Sequence, residues 1–143
     1  MAIINVYLNF SGQCEKAFNF YKTVFGGEFI YLGRYKDMPV QEGMSAITKE
    51  MENNIMHIAL PINKEIILMG CDIDKKRSNN YIIGNNISLF ISTDSKEEAD
   101  SLFIALSEDG QVVMPQVMTF WGEYFGKLND KFGINWMISY NPQ

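Results

Sequence analysis

Residues 114–139, MPQVMTFWGEYFGKLNDKFGINWMIS, concentrate aromatic residues, glycines and turn formers in a spacing that decides how the chain is interpreted. Trp121 and Phe125 each precede a glycine, which places a large flat side chain beside backbone that turns freely or approaches another group closely. Residues 130–133, DKFG, are typical of a tight turn into a last strand. Two interpretations stay open: the aromatics fill the core of a hairpin, or they form the wall of a binding site.

The preceding residues predict a first group of strands around one helix. A strand is expected at residues 3–10, followed by a helix with one apolar face that ends at two glycines. Further strands are expected at 28–35, 55–62 and 65–70. The helix face consists of Cys14, Ala17, Phe18, Tyr21, Val24 and Phe25. Residues 36–54 lack a clean period and predict a long loop, whose methionines at 38, 44 and 51 suggest a lid over a ligand.

The same order of elements then begins again. A strand is expected at 86–92, a helix capped by Ser95, and strands at 111–118, 123–129 and 134–140. The sequence therefore predicts an α+β fold in a single domain, residues 1–143. It consists of two β-α-β-β-β units, about 1–71 and 85–143, joined by a polar linker at 72–84.

Composition narrows the class of protein. Twelve basic and seventeen acidic residues give a net charge of −5, with no basic stripe to hold a phosphate backbone, so nucleic acid is not an expected partner. No apolar run is long enough to cross a bilayer, so no membrane partner is expected either. Cys14 and Cys71 stand in no ligand-like spacing, which favours reduced cysteines and a cytoplasmic protein.

Two segments carry a family resemblance. Residues 119–139, TFWGEYFGKLNDKFGINWMIS, and residues 7–29, YLNFSGQCEKAFNFYKTVFGGEF, resemble the closing and opening motifs of the PhnB-like branch of the vicinal-oxygen-chelate superfamily. That superfamily includes glyoxalase I, extradiol dioxygenases and the bleomycin-resistance proteins. The resemblance implies that two units pair around a shared cavity, within one chain or across a dimer, with the helices outside, and that the protein is a homodimer.

The resemblance also implies where a divalent metal would be held. In the superfamily's metal enzymes four strands supply His, Gln or Glu ligands, and counting along the matched motifs puts these positions on Val6, His57, Asn86 and Met137. Only His57 is a good ligand among them. We therefore expect no metal site and no cofactor.

Candidate site residues come from both units. His57 is the single histidine, and we expect it either to act as a base or hydrogen-bond donor in the cavity or to be an ordinary strand histidine. Arg34, next to Tyr35, is a candidate anchor for an anionic group, or else a solvated rim residue. The aromatic residues Phe120, Trp121, Tyr124 and Phe125 are expected to form a stacking surface for a ligand, or to be buried between subunits.

These inferences lead to one expected function and two alternatives. The first is a PhnB-like protein that binds a small, partly apolar molecule in the cavity between its units. The second is a metal-dependent lyase, isomerase or dioxygenase that uses His57 as its catalytic residue. The third is a drug-sequestering protein similar to the bleomycin-binding members. No glycine-rich nucleotide loop or GxSxG motif points to another chemistry.

Overall fold

The computed structural model describes residues 1–39, 42–43, 46–74 and 80–143, and the chain divides into two compact units, Met1–Tyr81 and Ile82–Gln143. The first unit contains β1 (Val6–Phe10), α1 (Cys14–Phe25), β2 (Tyr31–Arg34), β3 (Ile55–Pro61) and β4 (Ile67–Asp72), with a short 3₁₀ turn, Tyr35–Asp37, after β2. The second contains β5 (Leu89–Thr93), α2 (Lys96–Ser107), β6 (Gln111–Met118), β7 (Tyr124–Asn129) and β8 (Asn135–Tyr140).

Both units have the same sheet topology. The strand order is β1-β4-β3-β2 in the first sheet and β5-β8-β7-β6 in the second. β1 pairs with β4 in parallel, as β5 does with β8, and the other pairs are antiparallel. The predicted α+β fold with two β-α-β-β-β units is confirmed.

The two helices are each twelve residues long; α1 ends, and α2 begins, as the sequence predicts. Gly26 follows α1, and its amide donates to the Lys22 carbonyl. Its φ of 79° is typical of a helix C-terminus, and glycine adopts such a positive φ at little cost. The Ser95 side chain accepts a hydrogen bond of 3.0 Å from the Glu98 amide, which caps α2. Within the described residues, no helix is long and apolar enough to span a membrane.

The core of the first unit lies between α1 and the sheet. The helix buries Cys14, Ala17, Phe18 and Tyr21 completely against β3 and β4. Gly70 makes this close packing possible, since a Cβ there would lie 2.6 Å from the Phe18 ring and 2.8 Å from the Leu8 carbonyl. Full burial of a large apolar side chain contributes roughly 1.5–3 kcal/mol, so this layer supplies much of the unit's stability.

A buried carboxylate holds the ends of three segments of the first unit together. Asp72, 1% exposed, accepts hydrogen bonds from the amides of Gly12 (2.8 Å) and Cys14 (3.0 Å) with Oδ1, and from the amide of Ile55 (2.9 Å) with Oδ2. Its carbonyl also accepts a bond of 2.6 Å from the Tyr35 hydroxyl. The end of β4, the start of α1 and the start of β3 are thereby fixed to one another.

The second unit is built similarly around α2, with a carboxylate in a different place. Phe103 lies over Gly126, where a Cβ would come within 2.7 Å of its ring. Asp130, in the turn before β8, accepts bonds from the amides of Phe132 and Ile134 and, at 2.8 Å, from the indole of Trp136. These bonds confirm the predicted tight turn at residues 130–133 and connect it to the core.

The structure differs from the sequence prediction in a few segments. β2 is shorter than predicted because it begins at Tyr31, and β4 continues through Asp72, which was expected to start the linker. Met51, 9% exposed, is buried and so cannot act as an open lid residue. Met44 and residues 75–79 of the expected linker lie outside the described residues.

We expect Asp72→Asn to lower the free energy of unfolding by roughly 3 kcal/mol, because an amide has one acceptor oxygen and leaves at least one buried backbone amide without a partner. Chemical denaturation measures this change. Asp94→Asn, at an exposed carboxylate, is the matched control and should stay close to the wild type. Equal midpoints for the two variants would refute the role of Asp72.

Candidate functional site

The first sheet has one face covered by α1 and one face opposite the helix. Successive strand side chains alternate between these faces, so Leu8, Ile58 and Leu68 face the helix and are buried. We call the opposite side of the first sheet the first open face. All four strands contribute a polar or aromatic side chain to it, and its residues in strand order are Tyr7, Asn9, Met69, Cys71, His57, Ala59, Tyr31 and Gly33.

His57 lies at the centre of an aromatic group on the first open face. The Tyr7 hydroxyl is 3.2 Å from His57 Nδ1, and the two rings stack at 5.6 Å with an interplanar angle of 24°. The Tyr31 ring lies 5.4 Å from the imidazole at 46°. Tyr7 and Tyr31 remain 43% and 49% exposed, so the group is open to a ligand.

The position of Tyr31 depends on a glycine in the same strand. Gly33 pairs with His57 across the sheet, and a Cβ on it would meet the Tyr31 hydroxyl at 2.8 Å and its ring at 2.9 Å. The missing side chain therefore leaves the space in which Tyr31 folds back toward the imidazole. This gives Gly33 a role that differs from that of Gly70 in the core.

The Tyr7 hydroxyl and the neighbouring Cys71 thiol stay protonated at neutral pH. Burial, reinforced by the neighbouring Cys71, raises the pKa of the Tyr7 hydroxyl far above its usual value. Burial also raises the pKa of the Cys71 thiol, whose sulfur lies 3.5 Å from Asn9 Oδ1. The first open face thus offers a phenol, a thiol and an imidazole, without a fixed negative charge among them.

The second sheet also has a face opposite its helix, which we call the second open face. Phe90 of β5 stacks on Phe125 of β7 at 6.4 Å, and Trp121 meets Phe125 edge to face at 6.1 Å. Phe120 adds a fourth ring, 5.0 Å from Trp121. Phe90 and Trp121 are 54% and 52% exposed, while Phe125 is 9% exposed and anchors the group.

The hairpin between β6 and β7 presents Trp121 and Phe120. Thr119 closes it, because its amide and hydroxyl both donate to the Glu123 carbonyl, at 2.8 and 2.7 Å. Gly122, with φ 92°, adopts the left-handed conformation that the tight turn requires. Glu123 itself lies on the second open face, where it accepts a bond of 3.0 Å from the Ser139 hydroxyl.

Three predicted site residues have other contacts. Tyr124 faces α2, where its hydroxyl donates to Asp100 at 2.7 Å, so it does not join the aromatic group of Phe125. Both terminal guanidinium nitrogens of Arg34 donate to the Glu15 carboxylate, one of them at 3.0 Å. This ion pair compensates the positive charge of Arg34, which was expected to anchor an anion. Tyr35 donates to a backbone carbonyl at the end of β4.

The residues at the positions of the superfamily's metal ligands do not match that donor set. Val6 lies on the helix side of β1, where Tyr7 takes the open position; Asn86 precedes β5, and Met137 is a thioether on the second open face. Across the described parts of the chain, no three His, Cys, Asp or Glu side chains are grouped so that they can hold a metal ion. Only His57 remains a good ligand for a divalent cation.

The sequence analysis missed Tyr7, Tyr31 and Phe90. Within β1, side chains alternate between the two faces of the sheet, so the predicted strand already places Tyr7 on the face away from the apolar Leu8. Tyr7 and Tyr31 join His57, and Phe90 joins Phe125, through the pairing of strands that are distant in sequence, which local patterns do not contain.

Comparison with known proteins gives a consistent set of relatives. The sequence model of a family described as 3-demethylubiquinone-9 3-methyltransferase matches residues 2–139. The chain is 28% identical to protein YjdN of Escherichia coli over 95% of this chain and 93% of that protein.

Solved structures show the same relationship. The chain resembles protein PA1353 of Pseudomonas aeruginosa, with a TM-score of 0.81, 32% identity and coverage of 99% of this chain and 98% of that chain. It also resembles a Bacillus cereus PhnB protein described as a putative 3-demethylubiquinone-9 3-methyltransferase, with a TM-score of 0.74, 28% identity and coverage of 96% and 98%. A glyoxalase/bleomycin resistance/dioxygenase family enzyme of Burkholderia phytofirmans, 14% identical with coverage of 95% of each chain and a TM-score of 0.62, shares the fold.

We expect Gly33→Ala to move Tyr31 away from His57 while lowering the free energy of unfolding by less than about 1 kcal/mol, because the half-exposed tyrosine can rotate. The ring-proton NMR shifts of His57 measure the lost stacking. Gly70→Ala is the control: its Cβ meets backbone and a buried ring, and it should cost about 1–3 kcal/mol. Unchanged His57 shifts in Gly33→Ala would contradict this arrangement.

Proposed function

The chain belongs to the family described as 3-demethylubiquinone-9 3-methyltransferase, a PhnB-like branch of the glyoxalase superfamily, and on this basis we propose that it binds a small, partly apolar molecule without the superfamily's usual metal centre. The ligand contacts the open faces of the sheets. The cavity between the units that the resemblance implies stays a prediction, as do the homodimer and the cytoplasmic location.

One observation carries this proposal: in each unit the sheet face opposite the helix holds a group of rings, most of which are partly exposed. A buried core would hide these rings, and a solvated face would carry charged residues instead. Tyr7, His57 and Tyr31 form the first group; Phe90, Trp121 and Phe125 form the second. Rings of this kind bind flat apolar molecules by stacking, and a few polar atoms among them fix the orientation of the ligand.

The polar atoms on these faces indicate a ligand that is apolar but not entirely so. His57 supplies an imidazole on the first open face, and the half-buried Glu123, which accepts the Ser139 hydroxyl, supplies a carboxylate on the second. His57 lies beside Tyr7 and Tyr31, and Glu123 contacts the strand partner of Phe125, so a ligand stacked on a ring of either face reaches a polar atom. A molecule with a flat body and one or two polar substituents fits this pattern.

Methyl transfer, which the family description names, is not the reaction that we propose. Each unit is a β-α-β-β-β unit with a four-stranded sheet, and each sheet contains a single parallel strand pair. In doubly wound sheets, a glycine-rich turn between a strand and a helix holds a nucleotide-type cofactor. The sequence contains no motif of this kind. Similarity to the relatives with that description therefore supports the fold and the family of this chain, and we propose no reaction from it.

The binding of 2-acetylnaphthalene, a flat apolar molecule with one carbonyl, tests the proposal. We expect saturable binding in equilibrium dialysis, weakened at least about threefold by His57→Ala or Trp121→Ala, since each removes a ring from an open face. Ile104→Ala, which removes a 72% exposed apolar side chain from α2, is the matched control and should bind as the wild type does. Absence of saturable binding, or an equal loss in the control, would refute the proposal.

A further inference from the structure

We propose that Tyr7 is a positioning residue that holds His57 as the tautomer protonated on Nε2, so that the first open face presents a hydrogen-bond donor to an oxygen acceptor of the ligand. The inference rests on the proposed binding function and adds a chemical class: a flat, partly apolar molecule that carries a carbonyl or carboxylate oxygen. Tyr7 thereby determines specificity through His57 without itself contacting the ligand's acceptor.

The direction of the bond between Tyr7 and His57 follows from counting donors and acceptors. A phenol has one proton, and the nearest strong acceptor is His57 Nδ1 at 3.2 Å. The other polar neighbour, Cys71, is within hydrogen-bonding reach of Tyr7 but offers only a weakly accepting sulfur, and its own thiol is 3.5 Å from Asn9 Oδ1. The Tyr7 proton therefore goes to Nδ1, which must be unprotonated to accept it.

The phenol keeps this proton under all ordinary conditions. Burial raises the pKa of Tyr7, and the neighbouring thiol of Cys71 raises it further, so the hydroxyl is a donor at neutral pH. A neutral imidazole carries one proton, and with Nδ1 accepting, that proton lies on Nε2.

The rings around His57 keep the imidazole in this orientation. Tyr7 stacks on it at 5.6 Å and Tyr31 lies 5.4 Å away, so a flip of the ring would have to occur between two aromatic neighbours. Within the described residues, no protein group forms a hydrogen bond with Nε2. The N–H is consequently left for a ligand stacked beside the tyrosines.

The same arrangement disfavours a metal ion at His57. A metal binds the lone pair of a neutral imidazole nitrogen, and here Nδ1 is occupied by Tyr7 while Nε2 carries the proton. Coordination through Nε2 would require Nδ1 to become the protonated nitrogen and the bond from Tyr7 to reverse. An oxygen acceptor needs no such change, which is why we assign the ligand to that class.

Nitrogen NMR of ¹⁵N-histidine-labelled protein tests the tautomer directly. His57 is the only histidine, so its two ring nitrogens give the only imidazole signals and need no assignment. At a pH where the ring is neutral, we expect an unprotonated Nδ1 and a protonated Nε2. Tyr7→Phe keeps the stacked ring but removes the hydroxyl and should give a mixture of tautomers, whereas Tyr31→Phe should leave the wild-type pattern. A protonated Nδ1 in the wild type, or no change in Tyr7→Phe, would overturn the inference.

A matched pair of probes separates this inference from the proposed function. 2-Acetylnaphthalene and 2-ethylnaphthalene have similar size and shape, but only the first has an oxygen acceptor. We expect the wild type to prefer the first by about three- to tenfold, and Tyr7→Phe, unlike the control Tyr140→Phe on the helix side of β8, to lose most of this preference. Binding of neither probe refutes the proposed function; equal binding of both, or a preference unchanged in Tyr7→Phe, refutes the role of Tyr7 alone.

Discussion

The carboxylate of Asp72 accepts hydrogen bonds from backbone amides on two other segments of the chain, and the first unit depends on it. It joins the start of α1, at Cys14, to the start of β3, at Ile55, and both to the end of β4. A buried carboxylate is costly unless its oxygens are satisfied, and satisfied as here it fixes where each segment begins. β1, which carries Tyr7, and β3, which carries His57, both pair with β4 and are therefore held in one register.

The alternation of side chains along these strands then separates stability from function. Every second residue faces the helix and contributes to a close-packed core, in which Gly70 and Gly126 give Phe18 and Phe103 their space. The residues between them carry rings, an imidazole and polar groups on the open faces. Substitution on an open face is thus expected to change binding more than stability, which makes the site unusually accessible to mutational analysis.

Much of the fold, and less of the site, is predictable from the sequence. The element order and the Ser95 cap follow from local patterns and are confirmed. Tyr124 is adjacent to Phe125 in sequence, but adjacent residues of a strand point to opposite faces, and Tyr124 contacts Asp100 of α2. Arg34 forms an ion pair with Glu15, nineteen positions away, and the aromatic residues that contact His57 are set by strand register. These contacts arise from tertiary pairing, which no local periodicity encodes.

We propose that the face around His57 is a site for an organic ligand and is not a metal centre. Metal content by mass spectrometry distinguishes the two, measured on protein purified without a histidine tag and without added metal, with His57→Ala alongside. We predict no stoichiometric metal in either protein. One metal ion per chain in the wild type, lost in His57→Ala, would contradict the account and make metal-assisted chemistry the function to pursue.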